Sequence, residues 1–302
     1  MKVVLYVTLS LLGILLADRA GGISVERLLL WSILVGGLGA GLSWISFYFL
    51  EQMPFSNRLI ALGIWDTVIM AAHAVGALAV CGLALVWSRP WQRVWLLPAG
   101  LAVLGYLAFL ISSQTRGIWI ALLASLMVLL IATPWRVRLA TLLSLSLVVI
   151  AVAFYDAQLL MQRGLSYRPA LWSGGLQLIA ENTWFGLGFH EFQLAVPELK
   201  IQFKHPHNLF IDTGVRLGVI GLLLFCGLWL LTLWRAWQAR DEALGRMLMA
   251  LWVFSTVSLM TDGIGLWRKP NADWLIMWLP VALGMVLAQR VHSPRFQLEL
   301  RS

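Results

Sequence analysis

The chain has 302 residues, of which 60% are hydrophobic and only 12% are charged. A soluble globular domain carries about 25% charged residues, and a disordered chain combines low hydrophobicity with high net charge, so both classes are excluded. The apolar runs lack the alternation of apolar and polar residues that is typical of outer-membrane barrels. The composition therefore predicts an all-α fold, a polytopic transmembrane helical bundle.

Nine segments are candidates for membrane-spanning helices, although the first is short. They are residues 3–17, 28–50, 66–87, 94–112, 117–133, 139–155, 209–234, 247–261 and 274–289. We interpret residues 1–302 as a single transmembrane domain. A long polar loop, residues 156–208, is inserted between the sixth and seventh spans. Long loops of this kind often carry function.

The net charge is +8, with 22 basic and 14 acidic residues. In a membrane protein this excess favours basic cytoplasmic loops and an anionic substrate, and we expect no nucleic-acid partner. The arginine-bearing segments 88–93, 134–138, 235–246 and 290–302 fall on one side of the predicted membrane, which we assign to the cytoplasm. The long loop then faces the opposite side, as does the first residue.

The long loop contains a predicted surface helix. Pro169 suits the first turn of a helix, and Trp172, Leu176 and Ile179 recur at intervals of four and three residues. This spacing predicts one apolar stripe on a helix that lies along the membrane surface. A second, more polar stretch carries Lys200 and Lys204, which fit either a solvated loop face or an attraction for anionic glycolipid.

A histidine stands where the loop meets the seventh span. His207-Asn208 is followed by nine residues, Gly218, two residues and Gly221. The first turn of a helix offers free N–H groups and the positive end of a dipole, which favour anions. The two glycines lie on one face and would permit close helix packing.

This pattern resembles the signature of the O-antigen ligase family, within the O-antigen ligase and polymerase superfamily of membrane glycosyltransferases. Ser-Gln-Thr-Arg-Gly-Ile-Trp at 113–119 resembles the family's Arg-Gly motif. Arg-Pro-Ala-Leu-Trp at 168–172, with Glu-Asn-Thr-Trp-Phe-Gly-Leu-Gly at 181–188, resembles its loop motif, although Thr183-Trp184 stands where proline is frequent. The resemblance covers roughly residues 55–235.

The resemblance implies transfer of a glycan from undecaprenyl pyrophosphate to an acceptor hydroxyl. It places the reaction at the periplasmic face of the bacterial inner membrane, with inversion and without a metal or other cofactor. The acceptor is a lipid A core sugar for a ligase, and another glycan or a protein hydroxyl for a polymerase or protein O-glycosyltransferase. The family has about a dozen spans, so the chain is predicted to be short at its N-terminus.

The resemblance also implies site residues. Arg116 and Arg168 would bind the pyrophosphate, since guanidinium is permanently charged and bidentate towards phosphate oxygens. His207 would activate the acceptor hydroxyl. The alternatives are an arginine that contacts lipid headgroups from the end of a span and a hydrogen-bonded, inert histidine at a helix start.

Three further residues, in the seventh span or directly before it, are candidates for substrate binding. Asn208 would cap the helix or orient His207. Asp212 and Arg216, four residues apart, fit either an ion pair facing the bundle or a substrate contact. In the third span, His73 fits a hydrogen-bonded structural role or a place in the groove for the donor lipid.

A metal site and a transporter are the two alternatives to this interpretation. His190, Glu191 and His205, with His207 and Asp212, are metal-ligand types, but their spacing matches no strong motif and we expect no metal. An anionic-solute transporter is the alternative of another class. Transporters place their sites near the midplane in repeated halves, whereas these residues cluster at one face and no repeat is visible.

Overall fold

The computed structural model describes residues 2–20, 24–63, 67–86, 93–131, 135–136, 138–139, 167–196, 201–263 and 265–291. These ranges contain nine α-helices and one two-stranded antiparallel hairpin. The helices are α1 (Lys2–Arg19), α2 (Val25–Ile45), α3 (Val68–Val86), α4 (Arg93–Ser112), α5 (Arg116–Ile131), α6 (Arg168–Glu181), α7 (Leu209–Gln238), α8 (Ala243–Asp262) and α9 (Trp274–Val291). The strands are β1 (Leu194–Val196) and β2 (Ile201–Phe203).

The predicted all-α, polytopic fold is confirmed. Eight of the nine predicted segments coincide with helices, and the sixth lies, except for its first residue, outside the described residues. Six described helices are long and apolar enough to cross a membrane: α2 with the π-helical turn Ser46–Leu50, α3, α4, α7, α8 and α9. Helix α5 is apolar but has only 16 residues.

Helix α3 occupies the centre of the bundle and is the most buried of the candidate spans. Small side chains let its neighbours approach closely. A Cβ at Gly76 would lie 2.5 Å from the ring of Phe254 on α8. On the other side, α2 and α4 cross at Gly37 and Gly105, where a Cβ on Gly105 would lie 2.0 Å from the Gly37 carbonyl oxygen. Packing through small residues is a usual basis of helix association in membranes.

A charged clamp joins the first two helices to the last. Arg290 near the end of α9 donates from Nε to Asp18 at 3.0 Å and from Nη1 to Glu26 at 2.6 Å. Asp18 lies near the end of α1 and Glu26 in the first turn of α2. Because one guanidinium binds two carboxylates, the three helix ends are held together at the cytoplasmic side of the predicted topology. We call this side the inner end.

The opposite side, the outer end, carries the long loop. In its described part, α6 does not lie free on a surface, because it packs against the first turns of α7. Gly175 faces Ile211, and Ile179 faces Gly214. The predicted stripe was correct at Ile179, which packs against α7, but wrong at Leu176, which is exposed while Leu171 and Gly175 are buried.

The second, polar stretch of the loop contributes a strand to the hairpin, although the sequence suggested amphipathic helices in this loop. Leu194 pairs with Phe203 and Val196 with Ile201. Leu194 also contacts α6, where it lies 3.2 Å from the site of a Cβ on Gly174. The hairpin therefore belongs to a small separate core above the bundle.

Helix α7 is broken at Gly218, whose φ of 64° and ψ of −169° are not helical. The turn at residues 183–188 docks into the break. The Val219 N–H donates to the Thr183 carbonyl at 2.7 Å, and the Leu187 N–H donates to the Val215 carbonyl at 2.8 Å. These bonds satisfy backbone groups that the break removes from the helix.

Candidate functional site

Three consecutive residues at the outer end of α8 contact all three predicted motifs. Thr261 lies 2.9 Å, through its Oγ1, from the site of a Cβ on Gly117. Its carbonyl accepts a hydrogen bond from Arg168. Asp262 accepts from or donates to His207, and Gly263 packs against Leu209 at the start of α7. One residue from each motif, Gly117, Arg168 and His207, thus contacts the end of this helix.

His207 and Asp262 form a dyad, with His207 Nδ1 hydrogen-bonded to Asp262 Oδ1. The His207 side chain is 24% exposed and that of Asp262 is 8% exposed. A carboxylate bound to Nδ1 favours the tautomer in which Nδ1 carries the proton, which leaves Nε2 as the acceptor. The partly exposed imidazole is therefore oriented by a buried carboxylate, an arrangement that is also found in dyads in which histidine acts as a base.

The backbone at His207 is in the left-handed region, with φ of +53°. This conformation is uncommon for residues other than glycine and costs of order 1–3 kcal/mol. The next residue, Asn208, is extended and its side-chain oxygen accepts hydrogen bonds from the N–H groups of Phe210 and Ile211. Asn208 is thus the N-cap of α7, one of the two structural roles predicted for it.

Arg168 lies at the start of α6 and is half-buried. Its Nε donates to the carbonyl of Thr261, in the last turn of α8. The carbonyl end of a helix carries partial negative charge, so the guanidinium is well placed there. The contact fixes Arg168 beside the residue that orients His207.

Arg116 is the first residue of α5 and is also half-buried. The turn before it is braced by Arg58, whose Nε donates to the Ser113 carbonyl at 2.9 Å and whose Nη2 donates to Thr115 at 3.1 Å. Gln114 within this turn has a positive φ of 50°. Arg58 therefore holds the irregular turn that precedes Arg116 at the outer end of the bundle.

His205 stacks edge-on against His207, with ring centroids 4.0 Å apart. Burial, followed by the effect of His207, lowers the pKa of His205 to about 4, and the positive charges of Arg268 and Arg216 act in the same direction. Its Nδ1 is buried without a hydrogen-bond partner among the described residues. His205 is therefore a neutral imidazole at physiological pH.

Asp212 and Arg216 form an ion pair on the first part of α7, with Oδ1 and Nε 3.5 Å apart. The guanidinium lies between two aromatic rings, 4.9 Å from the centroid of Phe192 and 5.4 Å from that of Trp267. Such cation–π contacts hold a partly buried guanidinium in place. The predicted pairing of these two residues is therefore present in the structure.

Of the two candidate lysines, one lies among the described residues. Lys204 pairs with Glu191 at 3.3 Å, and both side chains are exposed. Lys200 lies outside the described residues. No group of three or more histidine, cysteine, aspartate or glutamate side chains that could hold a metal ion occurs in the described ranges.

Two residues that the sequence reasoning did not assign are part of the site. Asp262 follows an apolar span and matches none of the motifs, and only its position at the outer end of a predicted helix could have signalled it. Arg58 belongs to a predicted outer segment, but its role as a brace depends on a turn 55 residues away. The predicted glycine pair also acts differently, because Gly218 forms the break and faces the docked turn rather than another span.

Comparison with known proteins agrees with the motifs. The sequence model of the O-antigen ligase family matches residues 101–226, a range that includes Arg116, Arg168 and His207 but not Asp262. A curated O-antigen ligase of Pseudomonas aeruginosa PAO1 is 28% identical over 270 residues, which cover 88% of this chain and 66% of that relative. The chain thus spans about two thirds of the length of the relative it matches. The resemblance that the motifs predicted is confirmed: this multi-pass membrane protein is similar in sequence to the O-antigen ligases.

Proposed function

We propose that the protein is a membrane glycosyltransferase of the O-antigen ligase type. It transfers a glycan from undecaprenyl pyrophosphate to an acceptor hydroxyl, a lipid A core sugar, at the periplasmic face of the inner membrane. The observation that carries the proposal is that Arg168, His207 and Gly117, the residue directly after Arg116, all contact the outer end of α8. A permanently charged pair for a phosphate and an oriented imidazole for a hydroxyl are the two groups that this chemistry needs.

In the proposed reaction, His207 acts through Nε2. The acceptor hydroxyl oxygen attacks the anomeric carbon of the donor sugar, and Nε2 takes the hydroxyl proton as the new bond forms. The bond between the anomeric carbon and the pyrophosphate oxygen breaks on the opposite face, so the configuration inverts. Asp262 holds the imidazole in the required tautomer and stabilises the imidazolium.

Arg116 and Arg168 bind the leaving pyrophosphate. Negative charge accumulates on its oxygen as the bond breaks, and fixed guanidinium groups stabilise that charge without reorganisation. Because the donor is a lipid pyrophosphate, the reaction needs no nucleotide, and the family resemblance implies that it needs no metal. The chain has no Asp-x-Asp motif of the kind that binds metal-nucleotide donors.

The polyprenyl tail of the donor would occupy an apolar cavity of about 310 Å³ between α2, α3, α4 and α5. Its lining includes Ile33, Leu83, Leu107 and Leu126. Leu126 lies ten residues after Arg116 on α5, about 15 Å deeper along that helix. A headgroup at Arg116 and a tail that reaches this cavity would therefore fit one lipid that runs along α5 past the middle of that helix.

Transfer in reconstituted membranes tests the proposal. The protein is placed in liposomes with an undecaprenyl-pyrophosphate glycan and lipid A core, and glycolipid products are separated by electrophoresis. We expect transfer by the wild type and by Arg235→Ala, which removes an arginine from the inner end of α7, but none by Arg168→Ala or Arg116→Ala. Full transfer by both of these variants would contradict the assignment. Longer free glycans in place of glycosylated core would indicate a polymerase.

A further inference from the structure

We propose that the turn at residues 183–189 anchors the outer loop in the lipid bilayer. In this view the side chains of Trp184, Phe185 and Phe189 insert into the headgroup and upper acyl-chain region of the membrane. The inference concerns a surface beside the candidate site and does not depend on glycosyl transfer.

The depth of the turn follows from the break in α7. From Gly218 to Trp234 and Trp237 the helix rises through 16 to 19 residues, about 24–29 Å, which is close to the thickness of the hydrocarbon core. Its inner end is marked by the exposed residues Trp234 and Trp237 and by Arg235. Tryptophan and arginine are typical of the membrane interface. Gly218 therefore lies at the opposite boundary of the hydrocarbon core.

The turn is fixed to this boundary by its backbone. A Cβ on Gly218 would lie 2.3 Å from the Trp184 carbonyl oxygen and 2.5 Å from the Phe185 nitrogen. A Cβ on Gly186 would lie 2.6 Å from the Gly218 nitrogen. Such close approach, together with the hydrogen bonds described above, places residues 184–186 at the same depth as the break.

The turn carries three large apolar side chains that the protein leaves uncovered. Trp184 is 66% exposed, Phe185 is 78% exposed and Phe189 is 69% exposed. Transfer of large apolar side chains out of water is favourable, so contact of these three with water would be unfavourable. Phe189 also packs edge-on against Trp267, with ring centroids 5.4 Å apart, which extends the apolar surface towards the segment after α8.

Positive charge borders the same surface. Arg268 and Lys269 follow Trp267 directly and are both exposed. Phosphate headgroups are anionic, and basic residues next to an apolar patch attract them. A patch of aromatic side chains bordered by cations, at the depth of the interface, fits a phospholipid surface.

A fluorescent label on the turn tests the proposal. The native Cys81 and Cys226 are replaced by alanine, and Phe185→Cys is labelled with the environment-sensitive dye NBD. The protein is reconstituted in vesicles of phosphatidylethanolamine and phosphatidylglycerol, with or without phosphatidylcholine brominated on its acyl chains. Glu191→Cys is the matched control, because it is an exposed polar position of the same loop. We expect blue-shifted emission and strong quenching by the brominated lipid at 185, and neither at 191.

Identical spectra at the two positions, without quenching, would overturn the proposal. A response at 185 to added soluble glycan but not to brominated lipid would also overturn it and would assign the patch to sugar stacking. The readout requires no transfer activity. An inactive protein with quenched label at 185 would therefore contradict the proposed function alone.

Discussion

Two histidine–aspartate pairs occur among the described residues at the outer end of the bundle, and their surroundings differ. In both, the Nδ1 atom of the histidine bonds Oδ1 of the aspartate. The His73–Asp273 pair joins α3 to the start of α9 and is 1% and 5% exposed, whereas His207 is 24% exposed. Apolar residues surround the first pair: Met70, Ala74 and Ala272. Next to the second lies the contact between Arg168 and Thr261.

The difference shows that the pair alone does not make a site. A buried pair can fix two helices relative to each other, because leaving either partner unpaired in the interior is costly. A partly exposed pair with an arginine beside it can bind an anion and transfer a proton. Substitutions in and around the two pairs separate a structural role from a role in the reaction.

Replacing each histidine by glutamine tests directly whether the two pairs have different roles. For His207→Gln we expect transfer to fall by about 10²–10⁴-fold, since the base is lost. For His73→Gln we expect near-normal transfer but a loss of stability of about 1–3 kcal/mol, because the buried Asp273 loses its partner. Transfer assays and thermal unfolding of both variants measure these effects. Equal loss of transfer in two well-folded variants would show that both pairs serve the reaction.

Asp262→Asn tests whether the carboxylate orients His207 for the proposed reaction. An amide donates or accepts equally well, so it no longer fixes the tautomer of His207. We expect kcat to fall on the order of 10²-fold with little change in the KM for the donor. Asp241→Asn, in the exposed connection at the inner end, is the control and should behave as wild type. A large rise in KM with an unchanged kcat would assign Asp262 to substrate binding.

Gly218→Ala tests whether the break in α7 supports the site. Its φ and ψ lie in a region that is essentially restricted to glycine, and a Cβ there would meet the docked turn. We expect a loss of stability of at least about 1–3 kcal/mol and lower transfer as the turn moves away. Gly227→Ala, on the same helix with open space around it, should be neutral. Equal stability of the two variants would mean that the break is not needed.

The smallest effect is expected at His205. Its pKa is about 4 in the folded protein and about 6.5 when unfolded, so the unfolded chain binds more protons between these values. Stability contributed by neutral His205 is present above about pH 6.5 and declines as the pH falls towards 4. Melting temperatures measured from pH 4.5 to 7 should therefore depend less on pH in His205→Gln. Equal pH dependence in the variant and the wild type would refute the prediction.

The sequence by itself determined the fold class and most of the spans. A run of about 20 apolar residues is a local property, and in a bilayer it leaves the backbone little choice except a helix. The N-cap at Asn208 and the pairing of Asp212 with Arg216 were predictable for the same reason, since helix geometry relates residues two to four positions apart. The motifs around Arg116, Arg168 and His207 also predicted which segments matter.

Only the tertiary structure decided how these segments meet. Asp262 binds a histidine 55 residues earlier, and Arg58 braces a turn equally far away in sequence. The buried face of α6 and the break at Gly218 depend on a neighbour that fits against them. No period or spacing encodes such contacts, because they arise from the packing of helices that are distant in the chain. Local hydropathy thus determined the spans, and packing at the outer end of α8 determined the site.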